Sequence, residues 1–233
     1  MVQGVWSASV LQPAPLVKPL YADAGSGILF NLCGEVTMGD AALPEGVIML
    51  PVKKMAEKIV MSPGARLAGI RFHPAIGYGV LGRHYDKPTL LLPADDQLYH
   101  LYKMFTELQL MTQDNTRQVE ALSQWAHHNL DFTNVIPDCL ETALESIEQG
   151  DSPGQLSESA PLSQRQIERH FRSWLGMTPK HYQRILRIKQ AICFLRGHKN
   201  ANLADVAYAF GFSDQAHMTR EFRTIARITP RQV

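Results

Sequence analysis

The chain has 233 residues, enough for one or two domains, and 45% of them are hydrophobic. No stretch approaches the roughly 18 uninterrupted apolar residues of a membrane-spanning helix. Cys33, Cys139 and Cys193 are odd in number and in no C-x-x-C pair, which argues against a disulfide frame or zinc site and for reduced thiols in the cytoplasm. The net charge of +1 conceals a split: residues 151–233 hold 13 Lys/Arg against 6 Asp/Glu, and residues 1–150 hold 10 against 16. A basic module suited to a polyanion is therefore joined to an acidic one.

MVQGVWSASVLQPAPL at the N-terminus lacks a basic region followed by an apolar run, so no signal peptide is expected. GILFNLCG (27–34), GVIMLPV (46–52), AEKIVMS (56–62) and RLAGIRFH (66–73) are short apolar runs bounded by Gly, Pro or Asp and read as strands. Pro44, Pro51, Pro63 and Pro74 mark edge strands or strand ends. From Asp96 the period lengthens: Leu98, Leu101, Tyr102, Phe105 and Leu108 form a helical stripe, read as core or as a dimer seam. A second helix is predicted over 116–129 with Val119, Leu122 and Trp125 inward. A third follows Pro137 with Leu140, Leu144 and Ile147 inward and stops near Gly150. The expected fold class is α+β, with an acidic β-rich then helical N-terminal domain over 1–130 and an all-α domain over 131–233.

Arg-x-Phe-Arg-x(5)-Thr-Pro occurs twice, from Arg169 and again from Arg220, 51 residues on. One structural unit used twice is the direct reading. In the first copy a short helix (about 154–160) and a turn at Pro161-Leu162 precede Ser163, which forms a capping box with Gln166. Ile167, Phe171 and Trp174 make the buried stripe, and Arg165, Arg169 and Arg172 lie opposite. Gly176 stops this helix (about 163–175) and Thr178-Pro179 starts the next. In the second copy Asn202 caps LADVAYAF, with Leu203, Val206, Ala207 and Phe210 inward, and Gly211-Phe212 makes the turn. Asp214 caps a helix over 214–226 with Met218, Phe222 and Ile225 inward. Ala216, Arg220 and Arg223 point outward there, flanked by Gln215 and Thr219 on one side and His217 on the other. Between the copies, PKHYQRILRIKQAICFLRGH (179–198) carries an apolar face of Tyr182, Ile185, Leu186, Ile188, Ile192 and Leu195. It forms a strut of roughly 25 Å, compatible with two helices reading major grooves about 34 Å apart on double-stranded DNA. Arginine can bond guanine, and glutamine adenine, through two hydrogen bonds each.

L-S-x-R-x-x-E-R-x-F at 162–171, G-x-T-P at 176–179, R-I-x-x-A-x-x-F-L at 187–195 and G-F-S-D-Q-A-H-M-T-R-E-F at 211–222 resemble the AraC/XylS transcription regulators of bacteria over residues 134–233. The resemblance implies a seven-helix DNA-binding domain with two helix-turn-helix units. It places base and phosphate contacts at Arg165, Gln166 and Arg169 in the first reading helix and at Gln215, His217, Thr219 and Arg220 in the second, with Arg172 and Arg223 on phosphates. Pro161 replaces a turn glycine, so the first unit is expected to read more weakly. Arg227 stands where the second unit should have glycine, at a cost on the order of 1 kcal/mol in the left-handed region, so a different helix stop is expected there. The chain ends at Val233, where the family's last short helix would continue, which suggests truncation. Less specifically, L-F-x-L at 29–32 and G-I-R-F-H-P at 69–74 resemble AraC-like N-terminal domains, which sense small molecules, dimerise, or both.

The expectation is thus a cytoplasmic regulator, not an enzyme, without cofactor or metal. Its anticipated partners are DNA, RNA polymerase, a small-molecule effector and a second copy of itself. The competing reading is a repair or modifying enzyme carried to DNA by the same helices, and a third is an N-terminal half that only dimerises or holds polymerase. His73 and His84 lack a third ligand at metal-site spacing, His127-His128 diverge on a helix, and Cys33 is read as a buried inert thiol.

Overall fold

The computed structural model describes residues 1–111, 114–159 and 162–233, and the fold is α+β. The chain divides into two compact units, one of Met1–Leu20, Gly25–Val52 and Lys58–Val135, the other of Tyr21–Ala24, Lys53–Glu57 and Ile136–Val233.

The first unit holds strands β1 (Val2–Ser9), β2 (Leu16–Leu20), β3 (Gly27–Cys33), β4 (Val36–Met38), β5 (Ala41–Ala42), β6 (Gly46–Leu50), β7 (Glu57–Met61), β8 (Arg66–Phe72) and β9 (Thr89–Leu90). Helix α1 (Ile76–Leu81) lies between β8 and β9, and α2 (Leu101–Leu110) and α3 (Asn115–Asn129) follow. One sheet runs β1-β8-β3-β6-β9 and the other β2-β7-β4-β5. The four runs expected as strands are β3, β6, β7 and β8, and Pro51, Pro63 and Pro74 stand just past strand ends. β3 is central and buried on both faces. Its Leu29 joins Ile48 and Leu67 in a core completed by Val36, Met38, Ile59 and Met61 of the second sheet. Its neighbours Ile28 and Phe30 alternate to the opposite face, where α2 packs on β3 and β6 and α3 on β1 and β8.

β1 carries no strong turn signal in the sequence and emerges only from its pairing with β8, in which Trp6 lies opposite Gly69. The Trp6 ring occupies the space a side chain at 69 would need, since a Cβ there would lie 2.7 Å from it. The helix anticipated from Asp96 begins instead at Leu101. The Asp96 carboxylate accepts the backbone N–H groups of Leu101 (2.8 Å) and Tyr102 (2.6 Å), capping the helix from outside it. Leu98 therefore leaves the stripe and is 81% exposed, and Met104 joins Leu101 and Leu108 in the core. The inner face of α3 is rotated from the expected one. Gln118, Leu122 and Ala126 are buried, while Val119 and Trp125 are half-buried. Burial of Gln118 is satisfied on every side: its amide donates to the carbonyls of Leu108 and Met111 (both 2.9 Å) and accepts from Ser7 Oγ (2.5 Å). It thereby satisfies two carbonyls at the C-terminal end of α2.

The second unit contains α4 (Asp138–Gln149), α5 (Leu156–Ser159), α6 (Gln164–Leu175), α7 (Pro179–Gly197), α8 (Leu203–Ala209) and α9 (Gln215–Glu221). α9 runs on through a wide π-type turn at Phe222–Ala226. α4 ends at Gly150 in the left-handed region (φ 107°), and packs on α6 and α7. The α6 stripe is Ile167, Phe171 and Leu175; Leu175 takes the place of the anticipated Trp174, which is half-buried. Tyr182 of α7 is fully buried beside Phe171, and its hydroxyl donates to Glu148 (2.7 Å). Burial first, and then the neighbouring carboxylate, push the Tyr182 phenol far up. On α7, Ile185, Ile188, Ile192 and Leu195 are buried as expected, with Leu186 half-buried. Tyr21–Ala24 and Lys53–Glu57 are integral to this unit: Lys54 Nζ donates to the Gly176 carbonyl and the Ala56 N–H to the Ile225 carbonyl, both at 2.7 Å. Pro161, anticipated in the first turn, lies outside the described residues. Among the described residues no helix is long and apolar enough to cross a membrane.

Candidate nucleic-acid interface

Both copies of the repeat are built by the same local devices. Ser163 and Gln166 form the capping box that opens α6: Ser163 Oγ accepts the Gln166 N–H (3.4 Å), and Gln166 Oε1 accepts the Ser163 N–H (2.9 Å). Asp214 opens α9 by accepting the His217 N–H (2.6 Å), and this bond is the main reason its carboxyl titrates below the usual range. α6 stops at Gly176 (φ 63°, ψ 22°), and the second helix stops at Arg227 (φ 56°, ψ 24°). The stop at Arg227 is thus not different, as the missing glycine suggested. An arginine is held in the same left-handed conformation. Thr178 and Thr229 then cap the next helical segments, each with proline in first position.

On α6, Arg165, Gln166, Arg169 and Arg172 are all exposed and, with Ser163 and Ser173, border a shallow concavity of about 550 Å³. Because Gln166 Oε1 is held in the capping box, only the amide nitrogen is free to meet a base edge. On the second helix Gln215, Ala216, Arg220 and Arg223 are exposed. Thr219 is half-buried and its hydroxyl donates back to the Gln215 carbonyl (2.9 Å). His217 is turned from this row. Its Nδ1 accepts the Ser213 N–H (3.2 Å), and its ring meets Phe212 edge-on at 5.7 Å. The imidazole therefore faces α7, beside Arg184, Arg187 and Lys180.

α7 spans 19 residues, about 28 Å at about 1.5 Å per residue. It is tied to α9 by a two-point ion pair in which Arg184 Nε and Nη2 donate to Glu221 at 2.6 and 2.9 Å. Burial alone would raise the Glu221 carboxyl, but the Arg184 pair outweighs it and holds the group low. The same carboxylate raises the guanidinium of Arg184. Sequence reasoning missed Arg184, Lys180 and Arg187 as site residues; their signal was a basic row at i, i+4 and i+7 in a helix read for its apolar face. Among the described residues no three His, Cys, Asp or Glu side chains converge as a metal site would require.

Residues 156–233 match a family model described as a helix-turn-helix domain. Over 78 residues the chain is 36% identical to the HTH-type transcriptional activator RhaS of Escherichia coli (strain SE11), a match covering 34% of this chain and 28% of RhaS. The C-terminal unit thus contains a helix-turn-helix domain similar to part of that activator. RhaS of E. coli O9:H4 (strain HS) is 38% identical over 72 residues, covering 31% of this chain and 26% of that protein. The matches thus span little more than a quarter of the RhaS proteins. ToxT from Vibrio cholerae aligns with 98% of this chain and 96% of its own, at 10% sequence identity and a TM-score of 0.50. That likeness concerns the fold: β-rich sheets followed by helices. Within the matched residues α6 follows the short α5 and α9 follows α8, and the arginine rows lie on α6 and α9 with its following turn.

Proposed function

We propose that this protein is a sequence-specific transcription regulator that inserts α6 and the α9 helix, with the turn after it, into adjacent major grooves of one duplex. The observation that carries the reading is the pair of helices with like caps and like stops, each with exposed arginines, joined by one unbroken strut. Arg165, Arg169, Gln215 and Arg220 are the base readers, joined by the Gln166 amide and Thr219, while Arg172 and Arg223 hold phosphates. The relationship to RhaS supports activation, and with it contact with RNA polymerase in the cytoplasm. The acidic N-terminal unit serves as the regulatory part, responding to a small molecule or pairing two copies of the chain.

Selection of binding sites from random duplexes with the full chain tests the reading, followed by two variants. Arg220→Ala is expected to cost about 1–3 kcal/mol on the selected site and to relax one base position. Arg172→Ala is expected to weaken selected and unrelated DNA alike and to flatten the salt dependence by about one unit. Failure to enrich any sequence would overturn the function; variants indistinguishable from the parent would overturn the residue roles.

A further inference from the structure

α7 does more than space the two reading helices. Between it and α9 lies a cleft of about 510 Å³, walled by Lys180, His181 and Arg187 on one side and His217 on the other, with the Arg184–Glu221 pair at its base. The only carboxylate in the lining is Glu221, which Arg184 already engages through both oxygens. The remaining cations have no such partner: among the described residues neither Lys180 nor Arg187 makes a hydrogen bond or ion pair. The Arg187 guanidinium lies along the Gly211 turn, with Nε 3.5 Å from where a Cβ at 211 would stand. His181 contributes a buried Nε2 without a hydrogen-bond partner. With its Nδ1 accepting from Ser213, neutral His217 carries its proton on Nε2, a further donor.

We infer that this cleft is a phosphate site, and that in the DNA complex it takes the backbone where the duplex passes from one reading helix to the other. The inference rests on the DNA-binding reading above and extends it to residues outside both reading helices. Three features favour a phosphate over a base edge. The wall offers several cationic donors and no free carboxylate, it lies beside the His217 flank of the second reading helix, and it belongs to the strut, which sits between the two grooves rather than in either. A backbone phosphate accepts from ammonium, guanidinium and imidazolium alike. His181 lines the cleft, and its protonation adds positive charge beside the site.

The test uses the full chain and two probes. With DNA, Arg187→Ala is expected to flatten the plot of log affinity against log salt by about one unit on selected and unrelated sequences equally, and Arg187→Lys is expected to restore it. With inorganic phosphate alone, the ring resonances of His181 and His217 are expected to shift saturably in the parent and not in Arg187→Ala. An unchanged salt slope overturns the proposal. If phosphate still shifts the rings in that case, the cleft serves a free phosphate-bearing ligand; if not, it is no phosphate site at all. Arg220→Ala, measured alongside, separates the two readings: sequence preference lost there with an unchanged Arg187→Ala slope leaves the regulator standing and removes only the cleft. Thermal unfolding of each variant guards against loss of fold.

Discussion

Gly176 and Arg227 occupy the same left-handed conformation at the two helix stops, yet only one is a glycine. A side chain in that region costs on the order of 1 kcal/mol. Arg227→Gly is therefore expected to raise stability by up to about 1 kcal/mol and Gly176→Ala to lower it by a similar amount, both read from thermal unfolding. His181 gives a pH prediction. Burial first, then Arg184 and Lys54, hold its imidazole below the ordinary value, against the opposing effects of the Lys54 backbone bond and Glu221. Between the depressed folded value and the unfolded one near about 6.5, the unfolded chain binds the extra proton, so stability falls as pH drops through that window. The melting temperature is expected to decline between pH 7.5 and 5.5, and His181→Asn to show a shallower decline. Equal slopes in parent and variant would assign the loss to other groups.

At the scale of elements, two side chains explain packing that periodicity mispredicts. Gln118 is 1% exposed and supplies hydrogen bonds to the end of α2. Gln118→Leu would remove this amide's hydrogen bonds to one buried and one part-buried carbonyl, an expected loss of about 1–3 kcal/mol in denaturant unfolding. A hydrophobic pattern rewards an apolar residue at that position, which is why the sequence pointed to Val119 instead. Gly69 sits under Trp6 in the β1–β8 pair. Gly69→Ala forces the ring or the strand aside, with an expected cost of about 1–3 kcal/mol. Helix starts and stops in the repeat were legible because Ser163, Asn202, Asp214 and Gly176 act on backbone groups within a few residues of themselves. The start of α2 was not: Asp96 caps it from five and six residues away, so the stripe beginning at Leu98 looked continuous.

For the whole molecule, the proposed engagement of two grooves makes a geometric demand. A strut of about 28 Å without internal proline or glycine does not stretch, so the two half-sites must fall about one helical turn apart. Inserting about five base pairs between them turns the second groove to the far side. Affinity is then expected to fall by roughly an order of magnitude or more, to the level of one half-site, in a gel-shift or fluorescence titration. Retention of full affinity would mean that only one helix reads DNA.

The amino-acid sequence by itself determined the duplicated helix-turn-helix units, the basic-to-acidic division and the four main strands, because caps, turns and apolar periods act over distances of one to seven residues. Tertiary structure alone decided that β1 pairs with β8, that Gln118 belongs inside, that Gln166 spends half its amide on a cap, and that His217 turns toward α7. It also decided that Lys53–Glu57 joins the helical unit, where Lys54 meets the end of α6 and Ala56 the turn that follows α9. Each of those outcomes depends on which distant groups share a surface, and that is settled by packing, hydrogen-bond satisfaction and charge pairing across the fold rather than by any local pattern.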